Sequence, residues 1–441
     1  MSLLALALVA LPGCGATRLR ADFKGYENAY AESSNRQMLL NLARLNQHHP
    51  TYFFKMGQIS TQYRVQFGLN GNGTYSPTGN ANGVGGGGTP NLLYEQDPIF
   101  QFIPVGGDVV AQQLLTPIDP QHFYDLFNQG YRLDQLMRLL VDRIEYSDPK
   151  TGALQIIRNT PSGDNVEGYL TFLRVSALAY ELQRRGHLVI TGKPSSFQVI
   201  MTGLPAPLAK DVNDTQAKNL IWRQTADGKS WELGQDVPQF AFQLILPVLP
   251  EKAKQTPDKD CPDKFNSADN LLLCEIYKDM PLLKDVQSLA PTIGLLKAGL
   301  AIKGNYATQD TTGAEPAHFV LRSFIGAIAA ASQEDNVFDA ILNKGKKIPD
   351  QARIPPEEAD HPLLKLIWSG KIDAETQLTP SLVELDYMGK TYRVADEKSD
   401  DPLKQSSWNR DMFRLIFEIS SRVTVDISKF PPPQVLYLRT Q

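Results

Sequence analysis

The sequence predicts an α+β protein, with helices packed on mainly antiparallel sheets and a long Gly-rich β-hairpin. Three observations predict it. Strands and helices come in runs rather than in strict βα alternation. Residues 59 to 69 alternate with period two and run into a Gly- and Asn-rich tract. The C-terminal part has the order strand, strand, helix, strand.

The hairpin is the clearest element. Ile59, Thr61, Tyr63, Val65, Phe67 and Leu69 alternate with Ser60, Gln62, Arg64, Gln66, Gly68 and Asn70, giving one apolar and one polar face. The tract from Gly71 to Pro90 is too poor in apolar side chains to fold alone. Beyond it Leu92, Tyr94, Pro98, Phe100 and Phe102 share one parity, and Pro98 and Pro104 mark this second strand as an edge.

Before the hairpin, Ser34 and Gln37 have the spacing of a capping box, followed by Met38, Leu42 and Leu45 on one face, with Pro50 as the stop. After it, Asp119 and Pro120 open a short helix that Gly130 closes. Leu133, Leu136, Leu140 and Ile144 have helical spacing, and Leu154 to Ile157 reads as a strand. Asn165 to Arg185 is the longest helical pattern here, with Val166, Tyr169, Leu170, Leu173, Ala177 and Tyr180 as its core face and Gly186 at its end. Strands are expected at residues 187–191, 197–202, 219–224, 229–233 and 240–248, with a turn at Thr225 to Gly228. Helices are expected around 289–302 and 317–332, and Lys344 to Glu358 reads as a charged linker. A hairpin turning at Gly389-Lys390, a helix from about Ser406 with Trp408, Met412, Ile416 and Ile419 on one stripe, and a strand over 434–439 complete the pattern.

Composition narrows the function classes. With 42% hydrophobic and 21% charged residues the chain is ordinary for a folded protein. Its net charge of -4 and the absence of a basic run leave no footprint for nucleic acid. No segment after the first has 18 uninterrupted apolar residues, so a helical membrane span is not expected. Six histidines (48, 49, 122, 187, 318 and 361) are scattered without metal-ligand spacing. Gly83 to Gly88 matches a dinucleotide-binding spacing by letter, but Thr89-Pro90 follows where a helix should open. Ser147 to Lys150 has the letters of a serine acyl-enzyme motif, but Pro149 denies it the helix that motif needs. No nucleophile elbow or phosphate-binding loop occurs, so no catalytic, metal or cofactor residue is assigned.

The first stretch, Leu3 to Leu11, is apolar and too short to span a bilayer, which takes about 20 residues. It ends in Pro12-Gly13-Cys14. Leu11-Pro12-Gly13-Cys14 resembles the lipobox of bacterial lipoproteins, which implies cleavage before Cys14 and a diacylglycerol on its sulfur. Gly15 in place of Asp implies the outer membrane. No Lys or Arg precedes the apolar run and only 13 residues precede the cysteine, so the true start is expected upstream. With Cys14 lipidated, Cys261 and Cys274 remain as a pair in an oxidising compartment and are expected to form a disulfide, contributing about 3 kcal/mol.

The divisions that follow are 1–13 signal peptide, 14–57 tether and first helix, 58–105 hairpin, 106–250 an α+β domain, 251–360 disulfide loop, helices and linker, and 361–441 a ββαβ unit. Asn41-Leu-Ala-Arg44-Leu, the Gly-rich hairpin, Leu114-Leu-Thr-Pro-Ile118, Arg322-Ser323, Tyr387-Met-Gly-Lys-Thr-Tyr392 and Trp408-Asn-Arg410 make the mature chain similar to a family of uncharacterised proteobacterial outer-membrane lipoproteins. The resemblance implies no catalytic residue and no cofactor. Three functions are consistent with these features. The first is a non-catalytic, lipid-anchored, periplasm-facing scaffold or accessory subunit of an envelope assembly. The second is an oligomeric outer-membrane channel built from the 59–105 hairpin, and the third is a periplasmic hydrolase. The expected partners are the membrane, through lipid on Cys14, and envelope proteins.

Overall fold

The structure is a computed structural model that describes residues 2–71, 88–105, 114–147, 151–161, 165–216, 220–245, 272, 274, 301–303, 317–343, 363–364, 366–368, 383–394 and 408–423. Seven helices and twelve strands lie among them. The protein is α+β, and every strand pair but one is antiparallel.

The chain divides into two compact units. One comprises residues 1–31, 52–107 and 426–441, and the other 32–51 and 108–425. Helix α1 (Ser2–Asn46) belongs in part to each. It runs through Pro12 and Gly13, through the stretch read as a polar tether, and through Ser34. Ser34 is therefore mid-helix rather than a cap. The run from Ala16 to Ala31 contains no proline and four alanines, so nothing local forces a start at Ser34. The helix stops before Pro50 as expected, with His48 in the left-handed region at φ 57°.

In the first unit, β1 (Phe53–Gly71) and β2 (Gly88–Val105) pair antiparallel over 17 residue pairs. The register sets Ile59 opposite Phe100, Val65 opposite Tyr94 and Phe67 opposite Leu92, so the odd run of one strand meets the even run of the other. One bulge interrupts it between Met56 and Ile59. Both strands are longer than the alternation alone suggests. The Gly-rich tip, residues 72–87, lies outside the described residues. Among those residues no third strand pairs with this ribbon.

The second unit holds α2 (Pro120–Asn128), α3 (Leu133–Leu140), β3 (Val141–Ser147), β4 (Leu154–Arg158) and α4 (Val166–Arg184). Then come β5 (Leu188–Leu204), α5 (Ala209–Gln216), β6 (Ile221–Gln224), β7 (Trp231–Leu244), β8 (Ala301–Lys303), β9 (Ala317–Leu321) and α6 (Phe324–Asn343). Last are β10 (Leu366–Trp368), β11 (Glu384–Tyr387), β12 (Lys390–Val394) and α7 (Trp408–Val423). Seven strands form one sheet in the order β4-β3-β9-β8-β7-β5, with β6 on β7, and a second sheet runs β10-β12-β11.

Local chemistry sets several boundaries as expected. Asp119 accepts the Gln121 N–H at 2.8 Å and caps α2, with Pro120 in its first turn. By contrast, the turn between β11 and β12 is one residue earlier than the expected Gly389-Lys390: Met388 and Gly389, both at positive φ, make it, and Lys390 already pairs with Tyr387. Helix α3 is buried on every side. Its Leu133 N–H is capped by the Gln183 Oε1 of α4 at 2.8 Å, while Gln183 Nε2 donates to the Tyr131 carbonyl at 3.0 Å. Phe123, Phe242 and Phe319 stack edge to face at centroid distances of 6.2 and 5.0 Å, joining α2 to β7 and β9.

Further expectations are corrected. Ile144 is in β3, not in a helix with Leu140, because it pairs with Ile157 and Phe319 on neighbouring strands. Residues 317–321 form β9, and α6 begins only after Ser323, because a β-forming His-Phe-Val-Leu run pairs with both β3 and β8. The strands read at 187–191 and 197–202 are one strand, β5, carried through register shifts, and those at 229–233 and 240–248 are likewise one, β7. The buried face of α4 is not the expected one. Tyr169, Leu170 and Leu173 are buried but Val166, Ala177 and Tyr180 are only half-buried, while Phe172, Val175, Leu178, Ala179 and Leu182 are all inside, because the helix is enclosed by neighbours including α3, β4 and β5. Of the helix expected at 289–302, residues 289–300 lie outside the described residues, while Ala301 and Ile302 are not helical but belong to β8, because they pair with β7 and β9. The 251–269 loop, the linker at 344–358 and the strand at 434–439 also lie outside the described residues.

Candidate functional site

The most developed site is a cavity of about 520 Å³ in the second unit, a size that suits a small ligand. It begins with a bulge. Val141 pairs with Leu321 and Arg143 with Val320, so Asp142 is an extra residue in β3. Bulges of this kind re-aim a side chain, and the Asp142 carboxylate lines the cavity.

Arg322, just past β9, holds the surroundings together. Its backbone N–H donates to the Leu140 carbonyl at 2.7 Å. Its guanidinium donates through Nη1 to the Arg138 carbonyl at 3.0 Å and through Nη2 to the Asn159 carbonyl. Asn159 is also buried, and its side-chain amide donates to the carbonyls of Arg138 and Val141 at 2.8 and 2.7 Å. One cation and one amide thus satisfy the carbonyls at the end of α3 and the start of β3, groups that a helix terminus leaves without partners. Burial pulls the Arg322 pKa down to about 10, with Asp142 acting against that fall.

The remaining walls come from two other segments. Pro117 bridges Ser323, and the Ile118 N–H donates to the Arg322 carbonyl at 2.9 Å. Ser323 caps α6, its Oγ accepting the Gly326 N–H at 3.1 Å. Gly326, Ala329 and Ala330 then give α6 a low surface facing the cavity. A charge ladder leads away along the sheet. Asp142 meets Arg143 at 2.9 Å, Arg143 meets Glu145 at 2.5 Å, and Glu145 meets His318 at 3.0 Å. For Arg143, burial disfavours the cation, but the hydrogen bonds to Glu145 and Asp142 outweigh it and raise its pKa.

This arrangement can hold a small polar molecule or a side chain. The Arg322 Nη groups are directed to main-chain carbonyls and the Ser323 hydroxyl accepts from the helix it caps; among the described residues that line the cavity there is no histidine. Among the described residues no group of three or more His, Cys, Asp or Glu could hold a metal ion.

Segments singled out in the sequence do come together. Leu115 and Pro117 from the first and Arg322 and Ser323 from the second line the same cavity. Elsewhere His49 Nδ1 lies 2.6 Å from the Tyr387 hydroxyl, Gln47 donates to the Tyr392 hydroxyl at 2.8 Å, and the Arg44 guanidinium sits 5.7 Å from the Tyr387 ring centroid. Trp408 is flanked by the guanidiniums of Arg132 and Arg138, each 5.2 Å from its ring, and donates to the Leu363 carbonyl at 3.1 Å. These are packing and positioning contacts. Asp142 and Asn159 had no signal in the sequence, because a bulge is defined by pairing with a distant strand.

Of the cysteines, Cys274 is buried and disulfide-bonded. Cys261 lies outside the described residues, and the side chain of Cys14 on α1 is not described. No helix among the described residues is long and apolar enough to cross a membrane. No family model matches the chain, and no curated protein or solved structure matches it either.

Proposed function

We propose that this protein is a non-catalytic lipoprotein of the bacterial outer membrane, anchored through Cys14, facing the periplasm and serving as a scaffold or accessory subunit of an envelope assembly. The ribbon of β1 and β2 carries this reading. A two-stranded ribbon is at best marginally stable in water on its own, and this one runs for 17 pairs with no third strand among the described residues. Such an element gains stability from a protein partner along its edge. The disulfide at Cys274 supports an oxidising compartment. The Leu-Pro-Gly-Cys stretch supports a lipid anchor. The cavity, with its one carboxylate and its carbonyl-bound arginine, favours a structural role over hydrolysis.

Fractionation and native electrophoresis test this. The full chain should sit in the outer-membrane fraction and be cut by added protease only after that membrane is permeabilised. Cys14→Ser should move it to the soluble periplasm. Replacing residues 58–101 by a short Gly-Ser link should leave the location unchanged while the native complex shrinks. A protein that stays membrane-bound without Cys14, or a ribbonless chain whose complex keeps its size, would overturn the proposal.

A further inference from the structure

We infer that β1 is the strand through which two copies of this chain join edge to edge, antiparallel, with β2 as the closed outer edge of the resulting four-stranded sheet. The inference rests on reading the ribbon as the assembly element and names its partner, a second copy.

The two edges differ. β2 carries Pro90, Pro98 and Pro104, all of one parity on a strand that is regular throughout. In an antiparallel ladder alternate residues direct N–H and C=O either to the partner strand or outward. Proline has no N–H to give, so a ladder-facing position would cost a hydrogen bond at each of the three. Their common parity therefore assigns them to the outward set, where each removes a donor that an added strand needs. Glu95 and Asp97 lie on the same strand. These are the devices that close an edge against further pairing. β1 has none of them between Ile59 and Gly71, where there is no proline and one charge, Arg64.

The register then fixes what β1 can accept. Pro98 is opposite Thr61 and Pro90 opposite Leu69, so beyond the bulge the odd residues of β1 are the outward-facing set. These are also the residues of the apolar alternation. A symmetric antiparallel pair of β1 strands must match outward groups with outward groups, so its two-fold axis passes through a residue and pairs odd with odd. That same rule keeps the apolar face continuous across the joint. With the axis on Val65, Tyr63 meets Phe67, Thr61 meets Leu69 and Arg64 meets Gln66 of the second copy. With the axis on Tyr63, Arg64 meets Gln62. Either choice avoids placing Arg64 opposite itself, and like charges directly opposite are unfavourable. β1 is thus self-complementary. A closed ring would need the β2 edge of each copy to accept the β1 edge of the next, which the prolines oppose. Two copies satisfy the β1 edges, which no other strand among the described residues pairs, and leave two closed ones.

Cysteine scanning of the full-length chain in isolated membranes tests this, with the unsubstituted chain as the baseline. Thr61→Cys, Tyr63→Cys, Val65→Cys and Phe67→Cys are oxidised with copper phenanthroline in parallel with Leu92→Cys and Tyr94→Cys. A covalent homodimer should peak at position 63 or 65 and fall away on either side, while the β2 positions stay monomeric. Val65→Pro removes an outward N–H, twice by symmetry. Added to Tyr63→Cys, it should cut cross-linking on the order of tenfold or more. Gln66→Pro falls in the internal ladder and should disrupt the ribbon itself, seen as lost β-sheet circular dichroism. The inference is overturned by no homodimer at any β1 position, by adducts to a different protein, by indifference to Val65→Pro, or by cross-links between mixed Val65→Cys and Tyr94→Cys copies, the signature of a ring. Failure of the envelope reading is separate: β1 cross-links in a chain that is absent from the outer membrane would remove that reading and leave the pairing intact.

Discussion

Replacing Arg322 with methionine tests whether the cavity's geometry rests on one cation. The side chain is buried, and its guanidinium serves the carbonyls of Arg138 and Asn159, with a longer contact of 3.4 Å to that of Leu139. Methionine fills much of the volume but donates nothing. A buried acceptor left without a donor costs about 1–3 kcal/mol. Asn159 still donates to the Arg138 carbonyl, so that group is only partly deprived. Asp142 keeps its pair with Arg143 and is 42% exposed, so losing the Arg322 contact at 3.9 Å strands no charge. Against the loss stands the cost of burying a guanidinium, visible in its lowered pKa. The net expectation is a loss of about 3 kcal/mol, a large part of the roughly 5–15 kcal/mol that stabilises a folded domain. Urea unfolding under non-reducing conditions, followed by tryptophan fluorescence, measures it as a lowered midpoint at unchanged slope. Arg322→Lys should recover little, because an ammonium on a flexible stem cannot serve carbonyls on two separate segments as the fork does. A loss below about 1 kcal/mol for Arg322→Met, or full recovery with lysine, would refute the reasoning.

Two further outcomes follow from the same unit. Burial disfavours the Glu181 carboxylate, but hydrogen bonds from Arg184 and Arg185 outweigh it and hold its pKa below the ordinary value of 4.5. A depressed folded-state pKa gives stability that is present above the unfolded value and lost as pH falls through the folded one. Glu181→Gln should therefore lower the melting temperature at pH 7 and flatten its decline below about pH 4.5, as thermal scans across pH would show. At Gly234 a Cβ would overlap the Gln198 carbonyl oxygen and come within 2.7 Å of the Phe197 ring, where β7 passes β5. Gly234→Ala should cost about 1–3 kcal/mol in the same urea assay, whereas Gly192→Ala, with nothing within 4 Å, should be close to neutral.

What the sequence shows plainly is what short-range chemistry decides. Asp119 with Pro120 and the stripe from Trp408 to Ile419 each announce themselves within a few residues and each is where it should be, while the β11–β12 turn is displaced from its expected place by one residue. Ile144 and the run from Ala317 to Leu321 mislead for the opposite reason. Their spacing suits a helix, and only pairing with strands far along the chain makes them β. The cavity was least legible. Its parts come from segments near residues 115, 142, 159 and 322, and the bulge at Asp142 exists only in relation to β9. The burial of Arg322 has no local sign either, since a charged residue after a strand ordinarily faces water. The ribbon lies between these extremes. Alternation marked its middle, and the pairing extends it in both directions.

The account depends most on the chemistry of one residue. Intact mass and fragmentation of the N-terminal peptide, from protein extracted out of envelope membranes, examine it directly. The account predicts a chain that begins at Cys14 with a diacylglycerol thioether on its sulfur, and no peptide spanning Pro12 to Gly15. An unmodified Cys14 within such a spanning peptide would contradict it.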